Sequence, residues 1–287
     1  MDLLQIVVSG ILLGGVYALF ATGLNLIFGV MKIINLGHGE LMMLGAYVTF
    51  FLFTQAGINP LLSLPLTAAV IGVLGVVLQI GLVERVVNQP MINSLLLTFG
   101  LSTLAMGVAL NLWTSNYRSV NYEPLSGSWN IGELAISRAR AVAFIISVLV
   151  TVGMWLFLNR TNFGKAIRAT SEHPDVAQLV GIDIRQVRYV SFALGSAMAA
   201  ISGALISIIF TINPEMGRMF IGKGFAIIVL GGLGSFVGGL LGAIVLGVGE
   251  TVTAFYTSTQ VSEGVAYLIL LLVLIIRPSG FFGKAEE

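Results

Sequence analysis

Three side chains in the stretch "INLGHGELMMLGAY" could do chemistry: Asn35, His38 and Glu40, set among Gly37, Gly39 and Gly45. An imidazole and a carboxylate this close suit a proton relay or part of a metal site. On a regular helix, residues two apart do not face each other. A joint site therefore needs irregular backbone, which the flanking glycines permit. Alternatively, His38 and Asn35 satisfy backbone carbonyls freed at a helix break, and Glu40 meets Lys32 or water. A zinc site needs about three protein ligands, and the chain's two histidines, His38 and His173, lie far apart in sequence. Ser235 in "GLGS" would need a histidine beside it to act as a nucleophile, and only His38 sits in an apolar segment. With no cysteine in the chain there is no thiolate and no disulfide. Neither an enzyme nor a metal or other cofactor site is expected. Further polar residues are Asn25 in the first apolar run, the group Glu215, Arg218 and Lys223, and Glu250.

The elements that carry these residues are apolar. Hydrophobic residues make up 57% of the 287, charged residues 9%, and the mean hydropathy is +0.99. Soluble domains carry about 25% charged residues. The composition fits an integral membrane protein. Long apolar runs without ten-residue alternation fit helices rather than a barrel. The amino-terminal run lacks a basic leader and a cleavage site, and is expected to be a retained first span. A net charge of +1 with no basic tract gives no reason to expect nucleic acid as a partner; the partner that composition demands is the lipid bilayer.

A crossing helix needs about 20 apolar residues. Candidate spans are 3–31, 33–56, 61–83, 91–113, 141–158, 187–212 and 261–276, and 220–250 is a separate glycine-rich stretch. The expected fold class is all-α: a polytopic bundle of about eight spans, some broken or re-entrant, forming one domain over 1–287. Lysines and arginines fall nine to one side and five to the other, which places 159–188 in the cytoplasm and the amino terminus outside. One ordinary span over 220–250 would put the basic carboxyl terminus outside. The conflict disappears if the stretch returns to the same side or crosses twice as short helices. Gly231, Gly232, Gly234 and Ser235 interrupt its two arms. Broken backbone at membrane depth survives where it is buried in protein or lines a cavity. These four residues, with Asn35, His38 and Glu40, are therefore candidates for the wall of a pathway. Paired glycine-interrupted segments also occur where transporters are built from repeats. Close helix packing is expected at Gly10/Gly14, Gly231/Ser235 and Gly238/Gly242. Trp113, Trp129, Tyr117 and Tyr122 fit an interfacial aromatic belt.

The polar segment 159–188 predicts two short helices: one capped by Asn162 over 163–171, and one opened by Pro174 over 175–180 and ended by Gly181. Val176, Ala177, Leu179 and Val180 would form an apolar face with no lipid to cover it, either a docking surface or a connector on the headgroups. "FGKAIRATSEHPDVAQLVGIDIRQVRY" resembles the cytoplasmic loop of permeases in bacterial branched-chain amino-acid ABC importers. "GGVYALFATGLNLIFGVMKIINLGHGELMMLGAY" and "AIIVLGGLGSFVGGLLGAIVLGVGE" are similar to that family's amino- and carboxyl-terminal signatures, and the smaller permease subunit is the nearer likeness.

The resemblance implies a subunit in the bacterial cytoplasmic membrane that pairs with a second permease subunit. It also implies two cytoplasmic ATPase subunits and an extracytoplasmic substrate-binding protein as partners. Gly164, Lys165, Arg168, Ala169, Glu172, Ala177, Leu179, Gly181 and Ile182 would form the ATPase-coupling loop. The chain has no P-loop sequence of its own. Leucine, isoleucine and valine are the implied cargo, with urea, amides or other amino acids as alternatives. A channel or an ATP-independent transporter would leave the loop without a role.

Overall fold

The computed structural model describes residues 3–132, 134–232, 234–277, 280 and 281. Lys284, counted above among the basic residues, lies outside them. Among the described residues nine helices build the membrane bundle: α1 (Leu3–Met31), α2 (His38–Thr54), α3 (Leu64–Gly81), α4 (Met91–Trp113), α5 (Arg138–Arg160), α8 (Ile184–Ile209), α9 (Met216–Gly231), α10 (Phe236–Tyr256) and α11 (Thr259–Ile276). Two short helices, α6 (Asn162–Glu172) and α7 (Pro174–Leu179), connect α5 to α8. Seven of the nine are long and apolar enough to cross a membrane; α2 and α9, at 17 and 16 residues, are the short ones.

Helix α1 is the centre of the bundle, buried along most of its length between α10, α8 and α5. Small residues set the spacing of its closest partner. A Cβ on Gly10 would lie 2.6 Å from the Val248 Cα, and one on Gly14 would lie 2.8 Å from the Ile244 Cα. Lipid tails are as apolar as leucine, so helices associate here through such close contact rather than hydrophobic exclusion. By contrast α4 exposes most of its apolar surface, with only Ser94, Thr98 and Ala109 buried.

The stretch 220–250 is not one span: α9 and α10 form an antiparallel hairpin about a turn that includes Gly232, Gly234 and Ser235, and α10 continues to Tyr256. Gly232 and Gly234 take φ of +91° and +82° there, a region that other residues enter at a cost. The Ser235 side chain caps α10 by accepting the Gly238 N–H at 3.1 Å. A hairpin here begins and ends on one side of the bundle, which is one of the two arrangements that remove the parity conflict.

On the outer side, β1 (Ser128–Ile131) and β2 (Leu134–Ser137) pair antiparallel in the α4–α5 connection. The same connection is tied to the segment after α8: Arg118 and Ile212 exchange backbone hydrogen bonds at 2.9 and 2.7 Å. In the α5–α8 connection, Thr161 rather than Asn162 caps α6, accepting the Gly164 N–H at 2.9 Å. Thr161 precedes the helix in extended conformation and Asn162 is already its first residue, which explains the difference.

Candidate functional site

The stretch that opened the sequence lies at a helix break. α1 stops at Met31, Lys32 turns the chain with φ +54°, and residues 32–35 have no regular structure. The segment runs back along the bundle, so that the His38 Nε2–H donates to the Phe20 carbonyl at 3.2 Å. Phe20 lies about 16 Å up α1 from Met31 at 1.5 Å per residue, so α2 begins deep in the membrane. His38 is fully buried and packs against the Phe20 ring, with the centroids 4.9 Å apart and the planes tilted by 45°. The Thr98 hydroxyl accepts the Leu36 N–H at 3.2 Å and lies 2.8 Å from the Ile34 carbonyl, so α4 satisfies the unwound backbone. His38 therefore serves a backbone carbonyl, but one inside α1 rather than one freed at a helix break, and the Asn35 amide does not share that task. Glu40 does not meet Lys32: its Oε1 accepts from the Ser102 hydroxyl at 3.0 Å. Glu40 and Asn35 edge a cavity of about 310 Å³ walled by leucines of α2, α3 and α4, among them Leu44, Leu78 and Leu104. Asn35 Nδ2 and Glu40 Oε2 are buried with no hydrogen-bond partner among the described residues.

The second glycine-interrupted segment is held by Asn25. Its Oδ1 accepts the Gly234 N–H at 2.8 Å and its Nδ2 donates to the Ser235 carbonyl at 3.0 Å. One amide on α1 thus satisfies both faces of the α9–α10 turn. His38 and Ser235 are each occupied by backbone, and neither is a hydrogen-bond partner of the other. The segments join through α9: Gly217 packs directly against the Glu40 carboxylate, and a Cβ there would lie 2.6 Å from its carbon.

A third group was not assembled by sequence reasoning. Lys223 does not stay with Glu215 and Arg218 near the outer surface. Its Nζ lies 2.8 Å from the Glu250 Oε1 and donates to the Tyr17 hydroxyl at 3.1 Å. Tyr17 donates to the Glu250 Oε2 at 2.7 Å. Three helices, α1, α9 and α10, are pinned by this triad, and the ammonium also lies 5.1 and 5.2 Å from the centres of the Tyr17 and Phe220 rings. A sequence signal existed: Lys223 and Glu250 are opposite charges flanking an uncharged stretch with the glycine turn between them. The triad forms the floor of a cavity of about 580 Å³, whose polar lining also includes Arg140, Asn213, Glu215 and Glu263.

The residues of the loop 159–188 divide by environment. Gly164 is buried where α6 turns off α5, and a Cβ there would lie 2.6 Å from the Leu158 Cα. Ile167 is buried, and the Ser171 hydroxyl donates to the Gly29 carbonyl of α1 at 2.7 Å. Lys165, Arg168 and Glu172 are exposed, Ala169 is half-buried, and Arg168 donates to Asn159. On α7 only Ala177 is buried; Val176, Leu179 and Val180 are 57%, 86% and 73% exposed. Gly181 ends the helix at φ +87°, and the half-buried Ile182 returns the chain to the bundle by donating its N–H to the Ala177 carbonyl at 3.1 Å.

Residues 6–274 match the family described as branched-chain amino acid transport system / permease component. The chain belongs to that family. The permease is 34% identical to the high-affinity branched-chain amino acid transport system permease protein LivH of Salmonella typhimurium, covering 99% of this chain and 96% of that one. BraD of Pseudomonas aeruginosa, a permease protein of the same description, is 32% identical with the same coverage. Among solved structures, PsaBC from Streptococcus pneumoniae in complex with Fab aligns with a TM-score of 0.51 at 13% identity, over 97% of this chain and 93% of that one. That likeness concerns the fold alone. The permease is a multi-pass membrane protein, and its role is that of a transport component.

Proposed function

We propose that the permease works with a second permease subunit as the translocation pathway of an ATP-driven importer of branched-chain amino acids. An extracytoplasmic binding protein delivers substrate, and two cytoplasmic ATPases act on the loop 159–188. The single domain 1–287 supplies both the pathway and the coupling element. The observation that carries this reading is the exposed apolar face of α7. Val176, Leu179 and Val180 have no core of this chain to cover them, although Ala177 anchors the same turn. Pressure on α7 passes to α6, which is seated on α5 at Gly164 and on α1 through Ser171.

Gly164, Lys165, Arg168, Ala169, Glu172, Ala177, Leu179, Gly181 and Ile182 divide this work between seating α6 and α7 and presenting them. Asn35 and Glu40 line the pathway wall. His38 and the Gly231, Gly232, Gly234 and Ser235 turn hold its backbone in shape. Gly164→Trp is a poor test, because any side chain there meets the α5 backbone. Leu179→Asp with Val180→Asp alters only exposed positions. The double variant should reach the membrane at normal level, lose co-purifying ATPase and lose uptake of leucine. Normal ATPase retention and uptake would overturn the assignment.

A further inference from the structure

The charged residues of the outer cavity fall into two sets. Its floor is internally neutralised: Lys223 is spent on Glu250 and Tyr17. Its wall is not. Arg140 of α5, Glu215 at the start of α9 and Glu263 of α11 all line it, and none has an ion-pair partner among the described residues. The Arg140 guanidinium lies over the Phe210 ring at 5.9 Å, which leaves its planar fork free for a carboxylate. Leu13, Met216, Met219 and Phe220 add apolar surface to the same lining. The volume of about 580 Å³ is in the range of small-molecule sites.

Charge complementarity narrows the ligand. A free carboxylic acid would be repelled by the two wall carboxylates, and a free amine by Arg140. Urea or a simple amide would have no use for separated charges of opposite sign. A zwitterion with an aliphatic side chain satisfies all three features. We propose that this cavity is a binding site within the permease for an aliphatic amino acid, with its α-carboxylate on Arg140, its α-ammonium at Glu215 and Glu263, and its side chain against Met216, Met219 and Phe220. This rests on the transport reading above and adds a site on the permease itself, separate from that of the binding protein.

The chain contains no cysteine, so a single reporter thiol can be placed on the cavity lining as Thr259→Cys. The assembled complex of both permease subunits and the ATPases, in lipid nanodiscs without binding protein, is treated with a charged maleimide, and labelling of this chain is followed. L-leucine should slow labelling in a saturable way, whereas isovalerate and isoamylamine, each carrying one of the two charges, should protect weakly. Arg140→Gln, or Glu215→Gln with Glu263→Gln, should raise the half-protecting leucine concentration about tenfold or more, the equivalent of losing one charge-assisted contact. Arg140→Lys, which keeps the charge if Arg140→Gln fails to assemble, should retain protection.

Absence of protection by leucine in a complex that still imports it would overturn the site and leave the transport reading standing. Equal protection in wild type and variants would do the same. Protection by another zwitterion in a complex that imports no branched-chain amino acid would overturn the transport reading and leave the site.

Discussion

Glu250 and Glu40 are two carboxylates buried in one bundle, at 5% and 2% exposure, and the protein holds them in opposite ways. Glu250 has a lysine, a tyrosine hydroxyl and two aromatic rings around that lysine. Glu40 has one serine hydroxyl, a glycine pressed against its carboxylate and one oxygen without a partner. Glu250 sits where α9 and α10 must be fixed to α1; Glu40 sits at the mouth of a leucine-lined cavity where α2 begins. A buried charge costs several kcal/mol unless it is paired. The contrast therefore separates a carboxylate used for assembly from one left with an unpaired oxygen, which we propose for the pathway wall.

The largest expected effect breaks the paired side. Lys223→Met leaves Glu250 and Tyr17 buried without a cation, and removal of one member of a buried pair costs about 3–5 kcal/mol. Thermal unfolding in detergent should show this loss. Lys223→Met combined with Glu250→Leu should recover most of it, because an apolar pair of similar volume is often neutral or better. If the single variant is as stable as wild type, Glu250 is not held by its lysine and the contrast collapses.

A smaller effect is expected where α9 meets Glu40. Gly217→Val would drive a side chain into the carboxylate, and overpacking of this kind costs about 1–3 kcal/mol. Gly217→Val with Glu40→Ala should relieve part of the strain. Additive losses in the two-variant cycle would show that the close contact carries no energy.

Much of this arrangement was legible in the residues, and the parts that were not share a cause. The bundle, the broken stretch 220–250 and the paired helices of the cytoplasmic loop follow from hydropathy, glycine placement and Pro174. Asn25 was legible as a group needing a partner; that the partner is the backbone of the α9–α10 turn was not. Asn35, His38 and Glu40 look like one site because they are neighbours in sequence. The chain turns at their break, so His38 faces α1 while Glu40 faces α4 and α9. Lys223 reads as a surface charge beside Glu215 and Arg218, since nothing local reveals that the hairpin brings Glu250 to it. Which groups meet is decided by long-range pairing, whereas periodicity and composition report only what each segment can become.

The smallest expected effect sharpens the unpaired side. Glu40→Gln keeps the shape and can still accept from Ser102, and no cation is stranded by the loss of charge. Its stability should stay within about 1 kcal/mol of wild type, the scale of one net hydrogen bond. Glu250→Gln, the same chemical change, strands Lys223 and should cost several times as much. Measured side by side, the two substitutions isolate the lysine, because residue volume and hydrogen-bonding capacity change equally in both. Leucine uptake adds the functional half: Glu40→Gln should be well folded yet impaired if the carboxylate belongs to the pathway wall. A well-folded Glu40→Gln with full uptake would leave Glu40 a tolerated charge whose only visible task is to hold Ser102.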